Sequence, residues 1–322
     1  MEHSLYAQLP RLQVELQALE ALLADEFGNG NEIQRSAGAL VLGGGKRLRP
    51  AMALSAAFCG NYDRCTALNA AAAMEVLHAA TLAHDDVIDH AGTRRGAPTL
   101  HSLHGNHVAI YAGDYLLAKS MKLLSRSNLP SDRLGRVSSA IEALCMGEVG
   151  QYLGRGTVPG LREYLKRVMS KTGILFAAAC AVGGQCAGLP EQDVQRLWHV
   201  GMRFGAAFQI RDDLLDIEHD GDTAGKPTGH DLMEGIVTLP VLLAAQDAAY
   251  RARLDGFLQG RRTARLASGL LRAARKAGAM GQAADMMCAQ LDRAAQQLEK
   301  LPPSDGRHML QAILRSVGAP MR

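Results

Sequence analysis

The chain has 322 residues, 48% of them hydrophobic and 21% charged, with a formal net charge of +3. That length can bury a large core, and no linker divides it, so one domain over 1–322 is expected. The near-neutral balance argues against a nucleic-acid footprint. Cys59, Cys65, Cys145, Cys180, Cys186 and Cys288 show no CxxC spacing, and most sit in apolar context. They are expected to be reduced core thiols of a cytosolic protein.

Glu2, Glu15 and Glu20 mark an N-terminus without a signal-peptide pattern. Leu5, Leu9, Leu12, Leu16, Leu19 and Leu23 advance in steps of four and three, which predicts an amphipathic opening helix docked on the body. A second helix is predicted over about Glu32 to Leu42, leading into GGGKRLRP at Gly43 to Pro50. Its glycines allow tight backbone geometry, and Pro50 suits the first turn of the next helix. Lys46, Arg47 and Arg49 would sit near a positive helix start, where phosphate binds readily. The GxxxxGK[ST] spacing of a P-loop is absent, and basic residues before a helix are more often simply solvated.

Ala67 to Leu82 is rich in Ala, Leu and Met without Gly or Pro, and reads as a helix. It runs into AATLAHDDVIDHAGTRRG, in which Asp85 and Asp89 lie one turn apart on one face. His78 falls within about 20° of that face. Like charges at this spacing repel, and carboxylates in a last turn meet the negative end of the helix dipole. A divalent cation would reverse both penalties. Arg94 and Arg95 follow within a few residues.

Helices are predicted over Leu100 to Ser125 and Arg133 to Tyr152, then a break from Gly154 to Gly160 and an amphipathic segment over Leu161 to Ser170. Lys171 and Thr172 stand at the entrance of an uncharged run to Pro190. That run is mostly Ala, Gly and Cys, so a buried helix is expected rather than a membrane span. A helix beginning around Asp193 carries the second acidic run, FQIRDDLLD. Asp212, Asp213 and Asp216 repeat the spacing of the first, and GKPTGHDL follows at Gly225 to Leu232. Two acidic helix ends with nearby cations could grip a metal cluster from opposite sides while Lys and Arg take the rest of a polyphosphate. Hard oxygen ligands and a phosphate partner favour Mg2+. Gly235 to Ala249 reads as a buried helix, and breaks near Gly260, Gly278 and Pro302 predict three further amphipathic helices. Arg251 to Arg275 reads as a solvated basic face. No convincing strand is present, so the expected fold is all-α, in one domain.

GGGKRLRP, HDDVIDHAGTRRG, SKTG, FQIRDDLLD and GKPTGHDL occur in this order. Together they resemble the trans-isoprenyl (polyprenyl) diphosphate synthase family, in its octaprenyl- and heptaprenyl-like branch. The likeness runs over about Gly43 to Leu243. It implies long helices around a deep cavity, usually a homodimer, and prenyl chain elongation. In that reaction an allylic diphosphate ionises, isopentenyl diphosphate attacks the cation, and a proton is lost. The resemblance implies two or three Mg2+ ions held by Asp85, Asp89 and Asp212, supported by Asp86, Asp213 and Asp216. It places Arg94, Lys171, Thr172, Gln209 and Lys226 at the allylic diphosphate or its leaving group. It places Lys46, Arg49, His78 and Arg95 at the diphosphate of isopentenyl diphosphate. Many relatives carry Lys where Ile236 stands in EGIVTLP, which removes one phosphate-directed cation.

In the family, bulky aromatics four and five positions before the first Asp stop growth early. Here Thr81 and Ala80 hold those positions, with Leu77 and Met74 one and two turns deeper as a floor or as plain core. With aromatics at 4% the tunnel should be aliphatic. A medium or long product is expected, octaprenyl the favoured length, made from a farnesyl primer in the cytoplasm. A geranylgeranyl diphosphate synthase, or a catalytic subunit needing a small partner, are the alternatives. A class I terpene cyclase or a prenyl-diphosphate hydrolase is disfavoured. Cyclases typically carry an Asn/Ser/Glu metal motif where this chain has DDLLD, and they line the pocket with aromatics.

Overall fold

The computed structural model describes residues 2–127, 129–218 and 229–318. Pro10 splits the opening amphipathic stretch into α1 (Glu2–Ala7) and α2 (Pro10–Phe27), because proline starts a helix more readily than it continues one. Leu9, Leu12, Leu16, Leu19 and Leu23 are all buried, so this stretch docks as its period requires. α3 (Glu32–Leu42) opens on a capping box in which Asn31 and Gln34 each accept the other's backbone N–H at 2.9 Å. After the glycine loop come α4 (Leu48–Ala57) and α5 (Arg64–Ile88). Asp63 caps α5 by accepting the Thr66 N–H at 2.8 Å. From Ala70 to Leu77 every residue of α5 is buried, so this helix is enclosed on all sides.

α6 (Leu100–Ser125) matches its predicted span but is kinked at Gly105, whose φ of 81° only glycine adopts cheaply. α7 (Ser131–Leu153) and α8 (Leu161–Val168) follow. A π-helical turn over Met169–Gly173 then joins α8 to α9 (Ile174–Cys186). α10 (Glu191–Glu218), α11 (His230–Met233) and α12 (Leu239–Ala244) carry the chain past the second acidic run. α13 (Ala248–Gln259), α14 (Ala264–Lys276), α15 (Ala279–Glu299) and α16 (Asp305–Gly318) complete it. The predicted breaks thus separate four closing helices rather than three.

Among the described residues the one sheet is a pair of two-residue strands, β1 (Thr93–Arg94) and β2 (Ala97–Pro98). The fold is all-α. Among the described residues no helix is long and apolar enough to cross a membrane, and the uncharged run forms α9, a buried helix. All six cysteines are free, but Cys65, Cys145 and Cys288 are exposed, against the expectation of core thiols. Apolar neighbours in sequence point 100° apart around a helix, so they do not bury the residue between them.

The chain groups into two compact units. The first takes residues up to Ser138 together with Leu175–Trp198 and Leu298–Ile313. In it α5 packs along α6 and α4, and α2 and α3 close around them. α9 meets α4 where Gly183 lies against the Ala53 carbonyl. The second unit takes Ser139–Ile174, His199–Gln297 and the residues from Leu314 on. Here α14 packs against α11, α12 and α13.

Candidate active site

In the first unit, the acidic run closes α5. Asp85 and Asp86 occupy its last turn and Asp89 is the C-cap residue, its N–H donating to the Asp85 carbonyl at 2.8 Å. The three acids separate by burial. Asp85 and Asp89 are half-exposed, whereas Asp86 is 1% exposed. Arg94 holds Asp86 through Nε at 2.8 Å and Nη2 at 2.7 Å, both on Oδ1, while Oδ2 is buried without a hydrogen-bond partner. The hairpin that carries Arg94 turns through Arg95 (φ 52°) and Gly96 (φ 79°), the positive dihedrals of a two-residue turn matched to strand twist.

That turn swings Arg95 onto the glycine loop, where its guanidinium donates to the Gly44 carbonyl. Gly45 has a φ of 130°, which residues with a side chain rarely adopt, and a Cβ there would also lie 2.9 Å from Arg95 Nη2. The Arg49 guanidinium lies 4.4 Å over the Phe176 ring. Lys46 is exposed, and its carbonyl accepts the Tyr6 hydroxyl at 2.6 Å. Arg47 turns the other way. It is buried between Glu20 (2.5 Å) and Glu75 (2.7 Å), so of the three cations near this helix start one is structural, neither solvated nor turned to phosphate. Burial, then the positive field of Arg49, Arg95, Arg94 and Arg47, holds His78 well below its ordinary pKa. His78 is therefore held neutral within the positive field of these arginines.

In the second unit, the second acidic run lies near the end of α10. Asp212 is exposed, Asp216 half-buried and Asp213 buried. Asp213 accepts from Tyr164 Oη at 2.7 Å, the Leu239 N–H at 3.0 Å and Gln209 Nε2 at 3.1 Å. Gln209 Oε1 in turn accepts from Thr172 Oγ1 at 2.8 Å. This chain of bonds ties the π-helical turn to α10. Lys171, the residue before, donates to Glu148 Oε2 on α7 at 2.9 Å. Burial raises the Asp213 carboxyl to about 6, opposed by its three donors. Burial, then the charges of Asp231 and Asp213, raises Asp216 to about 6 as well.

This build-up of like charge fits a cation. The half-exposed Asp85 and Asp89 offer hard oxygens one helical turn apart, as do Asp212 and Asp216. Among the described residues no three His, Cys, Asp or Glu side chains form a ready-made metal cage. A pair of carboxylates per helix end matches Mg2+, which commonly binds through one or two carboxylates with water and substrate phosphate filling the rest.

The sequence signature of the family described as Polyprenyl synthetase matches residues 31–272. The chain belongs to this family. It is a prenyl diphosphate synthase, a transferase. Heptaprenyl diphosphate synthase component 2 of Geobacillus stearothermophilus is 36% identical to it over 301 residues, 93% of this chain and 92% of that one. A geranylgeranyl pyrophosphate synthase from Lactobacillus brevis matches its fold with a TM-score of 0.90 at 30% identity, over 97% of this chain and 98% of that one. A polyprenyl synthase from Caulobacter crescentus, solved with calcium and isoprenyl diphosphate, gives 0.87 at 29% identity, over 99% and 98%.

Within this prenyl diphosphate synthase, the expected residues fall into two groups. The first unit brings together His78, Arg49, Arg94, Arg95 and Asp86. The second brings together Thr172, Gln209 and Asp213, with Lys171 beside them. Lys226 and the start of GKPTGHDL lie outside the described residues. Ala80, Leu77 and Met74 are buried on α5, at 2%, 3% and 0% exposure. Sequence reasoning missed Tyr164, Glu148 and the role of Asp231. Asp231 stood within a quoted motif, but nothing local singles out Tyr164 or Glu148, whose partners lie 49 and 23 residues away.

Proposed function

We propose that the chain is a Mg2+-dependent trans-polyprenyl diphosphate synthase. It extends an allylic prenyl diphosphate, with farnesyl as primer, by successive condensation with isopentenyl diphosphate. Its product is a medium or long all-trans chain, octaprenyl favoured. The observation that carries this reading is the division of labour at the two acidic helix ends. In each run one aspartate is buried and tied by donors, and two are left at least partly exposed.

Asp85, Asp89 and Asp212 would hold the metal. Bound there, Mg2+ supplies positive charge to the diphosphate as it departs. Asp86 acts by fixing Arg94, and Asp213 by aligning Gln209 and Thr172; Asp216 supports the same helix end. Arg94, Lys171, Thr172, Gln209 and Lys226 take the allylic diphosphate or its leaving group. Lys46, Arg49, His78 and Arg95 take the diphosphate of isopentenyl diphosphate. The neutral His78 contributes a hydrogen bond there rather than a charge. Ala80 leaves room for a growing chain, above Leu77 and Met74. The family match runs through residues of both units, which supports a single functional domain. Six free thiols support a reducing, cytoplasmic setting.

The family resemblance supports a homodimer. One observation favours a second reading: the Geobacillus relative is named component 2, which supports a catalytic subunit that works with a partner.

The test is elongation by the purified chain with labelled isopentenyl diphosphate, farnesyl diphosphate and Mg2+, products resolved by length. A ladder ending at one long product is expected, and chelation should abolish it. Extension that appears only on adding a partner subunit would favour the second reading. Asp85→Ala and Asp212→Ala should each lower turnover by about 100-fold or more with helix content unchanged. Undiminished activity in both would sink the metal assignment.

A further inference from the structure

Lys171 and Thr172 are consecutive residues of the π-helical turn, yet different helices hold them. Thr172 bonds Gln209 on α10 at 2.8 Å, and Lys171 bonds Glu148 on α7 at 2.9 Å. The meeting of α7 with the turn is a backbone approach. A Cβ on Gly147 would stand 2.6 Å from Ser170 Cβ and 3.5 Å from the Lys171 nitrogen. The glycine therefore lets α7 settle against the turn, and the next residue along α7 is the carboxylate that Lys171 needs. A π-helical turn is a costly local geometry that recurs at functional sites.

The energetics of the pair are informative. Its side chains are 30% and 26% exposed, a setting in which an ion pair adds little to stability. Such a pair can yield to a diphosphate, which offers the lysine more negative charge and more acceptor oxygens than one carboxylate does. It re-forms when that anion leaves.

We infer that Glu148 is the return partner of Lys171: the lysine leaves it for the diphosphate leaving group, and Glu148 draws the lysine back, hastening release of inorganic pyrophosphate between condensations. This rests on the reading of Lys171 as a contact of the allylic diphosphate. Each added isoprene unit frees one pyrophosphate, so a cation that kept its anion would slow every later addition. Glu148 is thus a positioning residue whose competition with pyrophosphate sets how long the product stays.

The experiment is calorimetric titration of inorganic pyrophosphate into the full chain, with and without Mg2+. Glu148→Gln should bind pyrophosphate about two- to five-fold more tightly than the parent, the range a weak, partly exposed ion pair supports. Glu148→Ala should move in the same direction, which covers a folding defect in either variant. Lys171→Ala should weaken binding, and in that background Glu148→Gln should change nothing further. Unchanged or weaker binding in both Glu148 variants overturns the proposal while leaving Lys171 at the diphosphate. Equal tightening with Lys171 removed also overturns it, because Glu148 would then act by bulk charge alone. Unaltered binding in Lys171→Ala overturns the placement of Lys171 itself, and the proposal with it.

Discussion

His78 shows how a single side chain reports on its surroundings. Burial and four arginines depress its pKa from an ordinary 6.5, so the folded state binds fewer protons than the unfolded state below that value. The stability from its neutral form is full above pH 6.5 and is lost as pH falls below it, by about 1.4 kcal/mol per unit until the folded form titrates. Urea unfolding of the parent should therefore weaken faster between pH 6.5 and 5.5 than that of His78→Gln; parallel curves would refute the shift. Arg47 is the contrasting case. Its side chain is 6% exposed and that of Glu75 8%, so Arg47→Ala strands a buried carboxylate. A loss of about 3–5 kcal/mol is expected, read as a lower urea midpoint at constant slope. Position in the chain treats Lys46, Arg47 and Arg49 as equals, and the family resemblance gives a phosphate role to Lys46 and Arg49 alone. The carboxylates of Glu20 and Glu75, 27 and 28 residues away, supply the physical reason, since they draw Arg47 inward and leave the other two cations exposed or half-exposed.

Helices were legible to within a few residues wherever period and punctuation agreed, as in α3 and α6. What escaped were features set by how elements touch. The π-helical turn has no sequence signature, and its Lys171–Glu148 and Thr172–Gln209 bonds join it to two other helices. The contact of α9 with α4 is another such feature. A Cβ on Gly183 would lie 2.0 Å from the Ala53 carbonyl oxygen, a backbone atom that cannot rotate away. Gly183→Ala should thus destabilise the protein by about 1–3 kcal/mol despite its better helix propensity. A gain in melting temperature would show that the two helices can part without cost.

At the scale of the molecule, family membership fixes the reaction class and leaves product length open. The relatives are named for heptaprenyl and geranylgeranyl products, and both matches span nearly the whole chain. Length must then rest on a few side chains. Ala80→Phe should shorten the dominant product; because Ala80 is 2% exposed, overpacking of about 1–3 kcal/mol is also expected, so thermal unfolding should accompany the product assay. An unchanged length in a folded variant would remove Ala80 from the cavity wall. By itself the sequence determined the all-α class, the helix-end acidic runs and the family, because period, spacing and motif order are local properties of a chain. The tertiary structure alone decided which aspartate of each run is buried, which arginine pairs inward and what holds Lys171. Those outcomes depend on partners distant in sequence, and burial and pairing are settled only where packing brings such partners together.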